Sequence, residues 1–110
     1  MQVIVEGKEM AVTPALQAHA EKQAKKITNL NKHVIALRMF LETIEKKSND
    51  PMANRVTYEI DIPGHDLVVK SHAADMYEAI VKATDAARRK LRKLAEKQRD
   101  LSRKEGLAAS

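Results

Sequence analysis

Arg88-Arg89-Lys90-Leu91-Arg92-Lys93 is a cationic run whose side chains recur at three and four residues, the spacing of one side of a helix. Its chemistry is the neutralisation of anions. From Lys82 to Ser110 ten Lys/Arg stand against four acids, whereas residues 1–74 hold ten against nine. The basic excess, formally +5 for the chain, is therefore concentrated on one element and implies a polyanionic partner. Arg89 and Arg92 can fork onto two phosphate oxygens, which a lysine cannot do. Phe40, Tyr58 and Tyr77 are the only aromatic residues, too few for a binder that stacks successive bases. Phosphate contact is the expected mode. The bland alternative is a solvated helix face that only keeps the protein soluble.

Other chemistry finds little support. His19, His33, His65 and His72 share no metal-binding spacing, and cysteine is absent, so neither a metal nor a thiol nucleophile is expected. Glu42 with Glu45, or Glu59 with Asp61, has the composition of an acid–base pair, but alternation on an exposed strand face explains Glu59 and Asp61 without catalysis. The three glycines are isolated and form no phosphate loop. Asp75 reads as a helix cap, and Tyr77 is expected to pack on the sheet with its hydroxyl near the surface. The sequence points to no enzyme, no cofactor and no small-molecule substrate.

The elements that position these residues follow from periodicity. Gln2–Lys8 alternates around Val3 and Val5 and reads as a strand closed by Gly7. Thr13-Pro14 starts a helix whose buried stripe is Leu16, Ala20, Ala24, Ile27 and Leu30, leaving Lys22, Lys25 and Lys26 on other faces. Residues 34–44 form a second strand with Leu37, Met39 and Leu41 inward, and the hydrophilic run 46–54 is a connection. Val56, Tyr58, Ile60 and Ile62 alternate with Thr57, Glu59 and Asp61. A tight turn at Pro63-Gly64 leads to a fourth strand with Leu67, Val69, Ser71 and Ala73 inward. The last helix starts at Asp75, with a stripe of Ile80, Ala83, Ala87, Leu91 and Leu94.

The fold class is α+β: a two-layer β-α-β-β-β-α domain, a four-stranded sheet with both helices packed on one face. A chain of 110 residues suits one domain, placed at 1–97, with 98–110 a frayed or disordered basic tail. No run approaches the roughly 18 apolar residues of a membrane span, and the amino terminus lacks a secretion signal, so a cytoplasmic protein is expected.

Asp75-Met76-Tyr77-Glu78-Ala79-Ile80, followed by Asp85, Arg89, Leu91, Lys93 and Lys97, resembles the pattern of the ribosome hibernation-promoting factors, a family that includes the ribosome-associated inhibitor (Y protein) branch. Val12-Thr13-Pro14-Ala15-Leu16, Lys26-Ile27 and Glu45-Lys46 are similar to further family positions, so the resemblance covers about residues 1–97. It implies a short-form hibernation factor that occupies the decoding channel of the small ribosomal subunit, contacts rRNA through phosphates, blocks mRNA and tRNA binding, and inhibits translation under stress or in stationary phase. On that resemblance the phosphate-contacting set is Lys22, Lys25, Lys26, Lys82, Arg88, Arg89, Arg92, Lys93 and Lys97, on a protein monomeric when free. Departures are Leu30-Asn31 where the family has an aromatic pair, and Gln23 and Ala86 where lysines are common. The rival is a basic interaction module docking an acidic protein; a peripheral membrane role is weaker, since no bulky aromatic flanks the charges.

Overall fold

The computed structural model describes residues 2–44 and 50–109, with side chains described up to residue 97 except His65. Six elements follow in the expected order: β1 (Gln2–Lys8), α1 (Pro14–Leu30), β2 (Ala36–Thr43), β3 (Asn54–Ile62), β4 (His65–Ala73) and α2 (Met76–Ala109). Part of the 46–54 connection and the Glu45-Lys46 match fall on 45–49, outside the described residues.

The strands lie in the order β1-β2-β3-β4. β1 pairs parallel with β2, and the other two pairs are antiparallel. A parallel neighbour requires a crossover, and α1 is that crossover. Two glycines shape the connections. A Cβ on Gly7 would collide with the carbonyl of Met10, where the chain folds back after β1. Gly64 has φ +80°, a conformation that glycine adopts without the usual Cβ penalty, and it follows Pro63 in a two-residue turn.

Both helices are capped as their sequences suggest. Thr13 Oγ1 accepts from the Leu16 amide at 3.2 Å, with Pro14 in the first turn. Asp75 Oδ2 accepts from the Glu78 amide at 3.2 Å. The helices cover one face of the sheet: α2 lies on β3 and β4 and beside α1, while α1 reaches β1. The core joins Leu37, Met39 and Leu41 to Val56, Tyr58 and Ile60 and to the helical Ala20, Ala24, Ile27, Ile80 and Leu91. Ala79, Ala83 and Ala87 are fully buried, and their small side chains let α2 approach the sheet closely. Tyr58 donates to Thr84 Oγ1 at 2.8 Å, because the single hydroxyl proton of Thr84 is used on the Ile80 carbonyl at 2.7 Å. Burial pushes the Tyr58 phenol far above its ordinary pKa, so it stays neutral.

Two expectations are corrected. Tyr77 does not pack on the sheet; it is 39% exposed, and its ring stands edge-on to His19 of α1 at 5.0 Å. Met76, Ala79 and Ile80 fill the inward positions of that first turn, and Tyr77 points sideways to the neighbouring helix. His19 Nε2 also donates to the Tyr77 carbonyl at 3.4 Å. Leu30 is exposed at 43%, since it is the last helical residue before the Asn31 cap. Gln23, by contrast, is buried, set between Ala20 and Ile27 on the inward side of α1. Helical backbone continues past Lys97 to Ala109, and the side chains of 98–110 lie outside the described residues.

Candidate nucleic-acid interface

All nine cations singled out from the sequence stand on the two helices of one layer. Lys22, Lys25 and Lys26 are exposed on α1, on turns whose opposite side buries Ala20, Ala24 and Ile27. On α2, Lys82, Arg89, Arg92, Lys93 and Lys97 are exposed and Arg88 is half-buried. The structure brings four of them together. Lys82, Arg88, Arg89 and Arg92 line one shallow groove of about 600 Å³ with Asp85 and Ser71. Lys93, Lys97 and the three α1 lysines do not line it.

Electrostatics within the groove leave net positive charge free. Lys82 Nζ lies 3.5 Å from Glu78, and Arg88 reaches Asp85 at 3.8 Å. Such exposed pairs one turn apart stabilise by only about 0.3–0.5 kcal/mol, so a phosphate can displace them. Arg88 Nε is buried with no hydrogen-bond acceptor among the described residues. A desolvated guanidinium N–H without an acceptor is costly, so the Arg88 side chain is held here at some expense of stability. Arg89 and Arg92 pair with no carboxylate among the described residues.

Sequence reasoning did not place Ser71 and Asp85 in the groove, nor Lys90 against the edge strand beside it. Ser71 sits on the inward side of β4 yet reaches the groove because β4 is the edge strand under α2. Asp85 was placed only as a family match; its spacing to Arg88 was the available signal. Lys90 is exposed but donates to the Val68 carbonyl at 3.2 Å, which ties α2 to the edge strand.

The rival chemistries are accounted for by structural contacts. Glu59 lies 3.4 Å from Arg38, and Glu42 is held by Arg55. Asp61 faces Asp66 across the β3–β4 ladder, and the hydrogen bond that its protonated carboxyl donates to that neighbour holds its pKa above the usual value. This pair lies on the open side of the sheet, away from the basic groove. Among the described residues no group of three or more His, Cys, Asp or Glu side chains is placed to hold a metal. No helix among them is long and apolar enough to cross a membrane.

Comparison with known proteins places this geometry in context. The family described as sigma 54 modulation protein / S30EA ribosomal protein matches residues 3–99. The ribosome hibernation promoting factor of Acinetobacter guillouiae is 30% identical over 112 residues, covering 98% of this chain and 99% of that protein. The ribosome hibernation promotion factor of Deinococcus radiodurans is 31% identical over 87 residues, 79% of this chain but 45% of its own length. The chain thus spans about half of that longer relative. Among solved structures, a ribosomal subunit interface protein from Coxiella burnetii superposes with a TM-score of 0.76 at 19% identity, covering 87% of this chain and 99% of that one. At that identity the likeness speaks for the fold alone.

Proposed function

The chain belongs to the sigma 54 modulation / S30EA ribosomal protein family, and from that premise we propose that it is a ribosome hibernation factor acting without catalysis. It binds the small ribosomal subunit over the decoding channel, turns its helical layer toward rRNA phosphates, and excludes mRNA and tRNA. The consequence is inhibited translation under stress or in stationary phase, by a protein that is cytoplasmic and monomeric when free.

One observation carries this reading: the groove of Lys82, Arg88, Arg89 and Arg92, set in a helical layer whose other lysines are also exposed. Each phosphate neutralised there releases counterions, so affinity falls steeply with salt. Shape positions the protein, and the sequence of the RNA is not read by these contacts. Names borne by relatives, ribosome hibernation promoting factor among them, support the same role.

Competition on purified small subunits tests the location. Bound mRNA and initiator tRNA should be displaced in proportion to protein added, and translation in a reconstituted system should fall in parallel. Full co-occupancy of protein, mRNA and tRNA on one subunit contradicts the decoding-channel placement. Failure to bind subunits even at low salt, with binding to an acidic protein instead, favours the interaction-module rival.

A further inference from the structure

Beyond the basic groove, the helical layer carries a second depression of different character. Ile62 at the end of β3 and Pro63 in the turn after it line, with Leu91 and Leu94 of α2, a groove of about 270 Å³ to which Asn31 and His33 add polar groups. Leu91 and Ile62 are buried and Leu94 half-buried, so the walls are apolar and fixed by the core. Asn31 Oδ1 already accepts from the His33 amide at 2.8 Å. Its Nδ2 donors, and the imidazole of exposed His33, are therefore the polar groups the rim can offer.

Phosphate contact alone gives no reason for an apolar slot in a cationic surface. The surrounding charge identifies the occupant. Arg88, Arg92 and Lys97 stand three residues from Leu91, Ala95 and Leu94, so each is a one-turn neighbour of a groove residue. We propose that this groove receives one unstacked nucleobase of rRNA, its face against Leu94 and Ile62 and its edge toward Asn31 and His33. The flanking phosphates then rest on Arg92 and Lys97. An extruded base can be held by stacking between apolar side chains with its edge hydrogen-bonded, and the cations favour RNA over a protein side chain. The inference rests on the ribosomal reading above and deepens it by adding base contact to phosphate contact.

The test uses the full chain with purified small subunits and chemical probes of base edges, dimethyl sulfate and kethoxal. Ala95 is exposed and lines the groove, so Ala95→Leu fills it while keeping a good helix former; His33→Ala removes a rim group without touching the backbone bond to Asn31. Wild-type protein should protect at least one unpaired base that both variants leave reactive. Affinity should fall about tenfold for Ala95→Leu, in the range of a lost base contact. The slope of affinity against salt should stay unchanged, because no phosphate contact is removed. Identical base protection by wild type and variants overturns the proposal while leaving the ribosomal reading intact. So does a loss of affinity with no base re-exposed, which assigns the groove to a ribosomal protein. If the wild type does not bind subunits at all, the functional reading falls, and the base site with it.

Discussion

On the open face of the sheet, Arg55 grips Glu42 at 2.6 and 3.0 Å, Arg38 lies 3.4 Å from Glu59, and Lys8 sits over the Phe40 ring at 5.2 Å. On the helical layer, Lys22, Lys25, Lys26, Arg89, Arg92, Lys93 and Lys97 meet no carboxylate among the described residues, for the ion pairs there involve Lys82 and Arg88. The strand register sets opposite charges side by side, Glu42 against Arg55 and Arg38 against Glu59. The helices do the reverse. Lys22 with Lys26, Arg89 with Lys93, and Lys93 with Lys97 are like charges at i,i+4, each mildly destabilising, by about 0.2–0.5 kcal/mol. One face uses its cations to hold the fold. The other leaves most of them uncompensated, at a small loss of stability, an arrangement that suits the proposed polyanionic partner.

The largest effect that separates the faces is a charge reversal on α2. Arg89→Glu with Lys93→Glu should weaken ribosome binding more than a hundredfold, while unfolding free energy stays within about 0.5 kcal/mol, since both residues are exposed. Equilibrium denaturation beside subunit co-sedimentation reads both quantities. A variant that binds normally removes the helical layer from the contact.

Arg55→Ala should behave in the opposite way. It breaks a two-point hydrogen bond to Glu42 in a half-buried pair and should lower stability by about 1–2 kcal/mol with ribosome affinity unchanged. A marked loss of affinity in the folded variant would show that the sheet face also meets the ribosome.

A smaller effect is expected from the carboxy-terminal end. We propose that 98–110 contributes little to the fold, because the apolar period of α2 ends near Leu94 and an unsupported helical end is marginal. A chain ending at residue 97 should melt within a few degrees of the full protein. Hydrogen exchange should show protection of α2 falling sharply beyond that point; uniform protection to residue 109 would reject the boundary.

The smallest effect concerns Asp61 and Asp66. The folded state raises the Asp61 pKa through its shared hydrogen bond, so it binds a proton more tightly than the unfolded chain does. The stabilisation from that proton is complete below the ordinary aspartate range and is lost as pH rises through the raised value. Asp66→Asn should therefore melt slightly higher than wild type at about pH 7, with the advantage gone by about pH 3. An advantage that grows on acidification contradicts the shared proton.

Much of this architecture was legible because each element carries its own period. The alternation of Val56 to Ile62, the Thr13 and Asp75 caps, and the stripe through Ala83, Ala87 and Leu91 all act within a few residues of chain. What the sequence left unread arises between elements. The parallel pairing of β1 with β2 depends on where α1 delivers the chain. Tyr77 was misplaced because its partner, His19, lies 58 residues away on another helix. Thr57 should be exposed by alternation yet is buried, sitting between Phe40 and Lys70 in the ladder. At the candidate site, the cations were visible as a run on one helix, whereas the place of Ser71 in the basic groove needs β4 packed under α2, and the apolar groove needs Ile62 at the end of β3 brought beside Leu94.

Removing one positive charge from each face tests the central claim most directly. Arg89→Gln and Arg38→Gln make the same change in charge, and subunit affinity is measured for both across a salt series. The helical layer as phosphate contact predicts that Arg89→Gln flattens the dependence of log affinity on log salt by about 0.7–0.9, while Arg38→Gln leaves the wild-type slope. Equal slopes for the two variants, or a change confined to Arg38→Gln, would contradict it.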